Sequence, residues 1–303
     1  DIVYINSFFS PRFAIAPLAL RRLGMAAGAT AWIVAPRGEF SEGALAIKSF
    51  KKRSYMTAAR AIGLHRGVLW QASSPHEAAD IQREFGVPSH SIHIAPNLTA
   101  PVERDLPQTG ARPDARRLSV CFLARICAMK NLAFAIETLG RCRCPVHLHI
   151  YGPAEDEAYA ESCRRLISDQ GSDLLVTWHG EVAHDQVRSI LAAHDVFFLP
   201  TLGENFGHGI FEALAAGVPV LVSDRTPWRD LETVGVGWVR SLDDHRQFVE
   251  AIENLAAMPP EERLAMKMRA NAYAARVAAS AEARDANRRL FEAALERGRA
   301  SGC

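Results

Sequence analysis

The sequence predicts an α/β protein of two domains, each a parallel β-sheet with helices on its faces. Short, almost wholly apolar runs alternate with helix-patterned stretches along most of the chain, as in "IVYIN", then "PLALRRLGMAAG", then "AWIVAPRG". The alternation breaks over residues 98–117, "LTAPVERDLPQTGARPDARR", where prolines and charges replace any apolar period, and then resumes. The length, 303 residues, also exceeds what one hydrophobic core ordinarily serves.

The first alternating set continues through "GVLWQASS", the helix pattern "PHEAADIQREFG" and "SIHIAPN". It opens abruptly, because Asp1 leads straight into an apolar strand, and a buried strand needs neighbours on both sides. An N-terminally incomplete first domain is therefore expected. The second set runs "LSVCFLARI", "PVHLHIYG", "LVTWHGEV", "VFFLPT" and "PVLVSD", with a helical pattern between each pair. From about Asp243 the chain reads as helices only. The expected organisation is a first domain over 1–107, a second over 108–272, and a C-terminal helix over 273–303 that crosses back to the first.

Composition narrows the function. Hydrophobic residues make up 49% and charged residues 23%, a soluble globular profile, and 35 basic residues against 34 acidic give no global reason for a nucleic-acid partner. No apolar run approaches the roughly 20 residues that cross a bilayer. Cys121, Cys127, Cys142, Cys144, Cys163 and Cys303 form no C-x-x-C pair, which predicts reduced thiols and a cytoplasmic protein. Asn97-Leu98-Thr99 reads as a loop. His147 and His149 share one strand face with nothing nearby to complete a metal set, so packing is expected there. The G-x-G near Gly235 lacks the strand–turn–helix context of a dinucleotide fingerprint.

Two stretches carry chemistry. In "DVFFLPTLGENFGHGIFEALAAG" a strand ends at Pro200, and a helix pattern begins after a loop holding Gly203 and Gly207. Ligands of open parallel sheets bind at such carboxyl ends, where a helix N-terminus offers unpaired N–H groups suited to phosphate. Glu204 and Glu212 would lie about 80° apart if both were helical. Placing Glu204 in the loop and Glu212 within the helix resolves this, and gives Glu212 a largely apolar setting where a carboxylate needs a partner such as a ribose diol. A pair of solvated surface glutamates is the competing reading. In "CFLARICAMKN", Arg125 and Lys130 follow another strand end and precede a helix near Asn131, the makings of a diphosphate clamp; a solvated basic loop is the alternative.

Taken together, "PTLGENFGHGIFEALAAGVPVLVSDRTPWRDL" and "ARICAMKN" resemble the donor-site motifs of the retaining nucleotide-sugar glycosyltransferases of family 4, which have the GT-B fold of two Rossmann-like domains. "APRGEFSEGALAIKSFKK" and "HIAPN" are similar to that family's acceptor-domain and interdomain segments. The resemblance covers nearly the whole chain. It implies that Arg125 and Lys130 hold the donor diphosphate, that Glu212 binds the ribose, and that Glu204 lies against the sugar. It places Asn205, Phe206 and Gly207 at sugar hydroxyls or phosphate, and Gly180 beside the base. No cofactor and no metal are expected.

The resemblance also implies one or two βα units ahead of Asp1, roughly 60 to 90 residues at about 30 per unit. Arg37, in "PRG", stands where many members of the family carry a histidine; it is an acceptor-side candidate that would meet either an anionic acceptor or the donor phosphate. "KSFKKR" places Lys48, Lys51, Lys52 and Arg53 around Phe50, either a contact with the inner face of an anionic membrane or a solvated helix face. The expected activity is transfer of a hexose to a glycan or lipid-linked acceptor in polysaccharide or lipopolysaccharide synthesis. A nucleotide-sugar 2-epimerase on the same scaffold and a non-catalytic nucleotide-sugar-binding remnant are the competing expectations.

Overall fold

The structure, a computed structural model, describes residues 1–26, 31–106, 116–171 and 173–301. It divides into two compact units, 1–99 with 280–303, and 100–279. The expected division at 107/108 and Cys303 lie outside the described residues.

In the first unit four parallel strands, β1 (Ile2–Ile5), β2 (Ala31–Val34), β3 (Leu69–Ala72) and β4 (Ile92–Ile94), lie side by side in chain order. Helices α1 (Ala16–Arg22), α2 (Glu42–Ala46), α3 (Ser49–Ala61) and α4 (Pro75–Phe85) connect them. The start of α4 is written in "SSPHE": Ser74 caps the Glu77 N–H at 3.2 Å, Pro75 fills the first turn, and Gly86, at φ +72°, ends the helix. One face of the sheet packs on an aromatic core of Phe8, Phe40, Trp70 and Phe85. On the other face, Ile33 and Leu69 are covered by Ala286, Leu290 and Ala294 of the last helix, α11 (Ala281–Ser301).

The second unit holds a six-stranded parallel sheet in the order β10-β9-β8-β5-β6-β7. Its strands are β5 (Leu118–Leu123), β6 (Val146–Tyr151), β7 (Leu174–Gly180), β8 (Val196–Leu199), β9 (Val220–Ser223) and β10 (Gly237–Arg240). Helices α5 (Leu132–Leu139), α6 (Glu157–Ser168), α7 (Val187–Ala192), α8 (His208–Ala215), α9 (His245–Ala257) and α10 (Pro260–Ala278) complete it. The chain builds outward from β5 to β7, returns to the other side of β5 with β8, and builds outward again to β10. That reversal creates a crevice between the carboxyl ends of β5 and β8, the topological switch point of a doubly wound sheet.

Three features differ from the sequence expectation. The second sheet has a sixth strand, β10, which begins two residues after Gly235. A Cβ on Gly237 would stand 2.2 Å from the Val220 carbonyl oxygen, so only glycine lets β10 close on β9. The terminal helical segment divides at Ala279/Ser280 instead of 272/273. Asn271 ties α10 to the second unit by donating to the carbonyls of Glu103 and Ala215, as does Tyr273 by donating to Asp230. Finally, Lys52 turns inward, donating to the Ala44 carbonyl at 2.6 Å and lying 5.1 Å from the centre of the Phe9 ring. It thereby leaves the expected surface group, of which Lys48, Lys51 and Arg53 remain exposed around Phe50, itself 83% exposed.

Candidate donor-binding site

Both loops singled out in the sequence meet at the crevice. After β5 the chain forms a short helical turn, Ala128–Lys130, and Asn131 adopts a left-handed conformation (φ +58°) before α5. After β8 the loop 200–207 folds against this turn. Asn131 Nδ2 donates to the Pro200 carbonyl at 3.0 Å, and the Met129 carbonyl accepts from Leu202 N at 2.9 Å and Thr201 Oγ1 at 3.0 Å. From the other side the loop is held by Glu204 N donating to the Arg225 carbonyl and Ser223 Oγ donating to the Thr201 carbonyl. The Trp228 indole N–H donates to the Phe206 carbonyl. The Phe206 ring lies edge-on to Trp228, 5.5 Å between centroids.

The consequence is an ion pair between Lys130 Nζ and Glu204 Oε1 whose side chains are only 16% and 11% exposed. Two charges this withdrawn from water are costly apart and hold each other in place. Arg125 is elsewhere. Ile126 bridges Ala154 as a short parallel extension of the β5–β6 pairing, bringing Glu155 to Arg125, and the two form an ion pair in a largely exposed position. Lys130 and Glu204 are therefore joined directly, whereas Arg125 pairs across to the next loop.

Helix α8 starts at the same crevice. Gly207 caps it at φ +80°, and its carbonyl accepts from Ile210 N and Phe211 N. The first N–H groups of the helix, at His208 and Gly209, have no partner within it. A Cβ on Gly209 would lie 3.4 Å from the Phe197 ring and 3.5 Å from the Leu123 carbonyl, so this helix end sits close against the ends of β8 and β5. Asn205, Phe206 and Gly207 thus precede a helix N-terminus that sits against the ends of β5 and β8.

Glu212 is the fifth residue of α8. Burial raises its carboxyl pKa, and His184 and His208 partly offset the rise. His184 follows β7, whose last residue, Gly180 (φ +78°), accepts from Gly152 N at 2.7 Å. Neither His184 nor Gly152 stands out in the sequence. The signal for Gly152 is its place at the end of a strand, in "YGP". It has φ +128°, and a Cβ there would stand 2.0 Å from the Ala124 carbonyl. Gly152→Ala is expected to destabilise the second unit by about 2 kcal/mol; an unchanged thermal melt would contradict this.

Arg37 belongs to the first unit. His147 Nε2 lies 2.8 Å from Thr177 Oγ1, and His149 Nδ1 lies 3.0 Å from His179 Nε2. Among the described residues no three of His, Cys, Asp or Glu are grouped to hold a metal, the five described cysteines are unbridged, and no helix is long and apolar enough to cross a membrane.

The chain is similar to several known proteins. Residues 117–258 match the family described as glycosyl transferases group 1. The chain is 29% identical over 101 residues to the O-antigen chain mannosyltransferase RfbU of Salmonella typhimurium, covering 33% of this chain and 28% of that protein. It is 26% identical over 171 residues to a sucrose synthase of Nitrosomonas europaea, covering 50% of this chain and 22% of that protein. The chain thus spans less than a third of the length of these curated relatives. Among solved structures, HepE of Anabaena in complex with UDP-glucose superposes with a TM-score of 0.73 at 16% identity, covering 97% of this chain and 78% of HepE. WaaG, a glycosyltransferase involved in lipopolysaccharide biosynthesis, gives 0.62 at 14% identity, covering 88% and 80%. At these identities the likeness is one of fold, and the fold is GT-B.

Proposed function

From the match of residues 117–258 to the group 1 glycosyl transferases, we propose that the chain moves a hexose from a nucleoside diphosphate sugar to a glycan or lipid-linked acceptor, with retention at the anomeric carbon. The observation that carries this reading is the Lys130–Glu204 pair at the switch point, beside the N-terminus of α8. Lys130 and the first N–H groups of α8 stabilise the charge that develops on the departing diphosphate, acting as donors fixed before reaction. Arg125 joins them by exchanging its exposed partner Glu155 for a phosphate oxygen. Glu212 accepts from the ribose diol, Glu204 faces the sugar, and Gly180 borders the base.

In the transfer, the bond from the anomeric carbon to the phosphate oxygen breaks while the acceptor oxygen bonds to that carbon on the same face. The acceptor's proton passes to the departing phosphate oxygen. No protein base and no metal are required by this balance.

Analysis of the sugar products tests the reading. Incubation with an α-linked nucleotide sugar and an acceptor glycan should yield an α-linked product and free nucleoside diphosphate. A β-linked product would overturn retention. Conversion of the donor alone to its 2-epimer would favour the epimerase, and tight donor binding without any turnover would favour a binding protein.

Glu212 supports a second test. Because burial raises its pKa, folding penalises the ionised carboxylate at neutral pH, and the penalty fades as pH falls toward the raised value. Glu212→Gln is therefore expected to raise the melting temperature of the free protein while weakening nucleoside binding about tenfold. Loss of both stability and binding would place Glu212 in the scaffold instead.

Lys48, Lys51 and Arg53, exposed around Phe50, fit a peripheral contact with an anionic bilayer. Co-sedimentation with phosphatidylglycerol vesicles should fall on Phe50→Ser with Lys51→Glu. Equal binding to neutral vesicles would contradict the contact.

A further inference from the structure

Arg37 is held within the first unit by neutral hydrogen-bond partners. It follows β2 in a left-handed backbone conformation (φ +55°), and its guanidinium is gripped from three sides. Nε donates to Asn6 Oδ1, Nη1 donates to Asn97 Oδ1, and Nη2 donates to Tyr4 Oη at 2.7 Å. Asn6 follows β1 and Asn97 follows β4, so three loops at the carboxyl edge of this sheet converge on one cation. Tyr4 in turn donates to Gln71 Oε1, and Gln71 Nε2 donates to the Ala95 carbonyl at 2.7 Å, which fixes the phenol oxygen as the acceptor.

Every partner in this grip is neutral. The nearby carboxylates form no ion pair with Arg37 among the described residues and accept from neutral donors, and the Glu77 charge is felt at the Tyr4 hydroxyl. Glu77 accepts from Gly38 N, Ser73 N and Ser73 Oγ, and Glu39 accepts from Ser7 Oγ, Phe8 N and Phe9 N. Among the described residues Arg37 has no carboxylate partner. Because a guanidinium only donates, both asparagines must present their oxygens to it, which leaves both amide NH2 groups as donors beside the cation. The guanidinium also has more N–H groups than three acceptors use. A held cation surrounded by surplus donors, half-exposed and next to the exposed Asn6, is complementary to an oxyanion.

We propose that Arg37, Asn6 and Asn97 form an oxyanion-binding subsite that takes a phosphate or carboxylate borne by the acceptor. Only the word acceptor rests on the transferase reading; the binding of an oxyanion stands on the first unit alone.

The test uses the full chain carrying Lys130→Ala, so that the donor loop contributes little anion binding. Inorganic phosphate and glucuronate are titrated separately, with glucose as the neutral control, while the Arg37 Nε–H and the Asn6 and Asn97 side-chain amides are followed by NMR. Saturable shifts with at least one anion and none with glucose are expected, and the anion that acts identifies a phosphorylated or a uronate-bearing acceptor. Asn6→Asp puts a carboxylate beside the guanidinium at an exposed position, and should weaken the anion at least about tenfold with an unchanged melting temperature. No shift with either anion, equal shifts with glucose, or anion binding that survives Asn6→Asp would overturn the proposal. The donor reading fails separately, through absence of UDP and GDP binding to the unaltered chain.

Discussion

Lys130→Ala is expected to weaken binding of a nucleoside diphosphate about a hundredfold while leaving the free nucleoside unaffected. A charge-assisted hydrogen bond to phosphate is worth about 1.5–3 kcal/mol, and the site is withdrawn from water, so the upper part of that range applies. The variant also leaves Glu204, 11% exposed, without its ion-pair partner and facing the incoming diphosphate. The double variant Lys130→Ala/Glu204→Gln separates the two effects: recovery of affinity measures the repulsion, and the residual loss measures the missing cation. Equal weakening of nucleoside and nucleoside diphosphate would place Lys130 away from the phosphates.

A second large effect concerns acid stability of the first unit. His65 is 7% exposed, and neither ring nitrogen has a hydrogen-bond partner among the described residues. It stacks on Phe8 at 4.7 Å between centroids and meets Phe85 edge-on at 5.1 Å. Burial, with a smaller contribution from the Arg21 guanidinium, lowers its pKa from 6.5 to about 4. The unfolded chain therefore binds a proton that the folded unit refuses. The neutral form's contribution is fully present above pH 6.5 and is lost as pH falls toward 4, about 3 kcal/mol in all. His65→Phe keeps an aromatic ring in the same cage and should flatten the stability profile across that window. Parallel profiles for the two proteins would contradict this account.

Much of this site is legible in the sequence because its geometry is local. A strand end, a loop with Glu204 and Gly207, and a helix pattern carrying Glu212 follow one another within a few residues, as do the strand end, Lys130 and Asn131. What joins the two stretches is the strand order, since β5 and β8 become neighbours only when the sheet reverses, and a parallel α/β pattern leaves strand order open. Arg125 shows the limit. Its pairing with Glu155 depends on the parallel bridge from Ile126 to Ala154, a long-range register that no local spacing encodes. Strand β10 escapes detection because "GWVR" lacks an apolar run, and what qualifies it is the fit of Gly237 against the Val220 backbone. Lys52 is likewise indistinguishable from Lys51 until Phe9 is brought beneath it. His184 acts on Glu212 from a loop after β7, with β5 and β6 standing between β7 and β8 in the sheet, and no motif announces it.

Calorimetric titration of the unaltered chain with UDP and with GDP tests the central claim most directly. One of the two should bind at a single site, identifying the base, with affinity that falls in both Glu212→Ala and Lys130→Ala. A folded chain that binds neither nucleotide, or binds one equally well in both variants, would contradict a donor site at the switch point of the second unit.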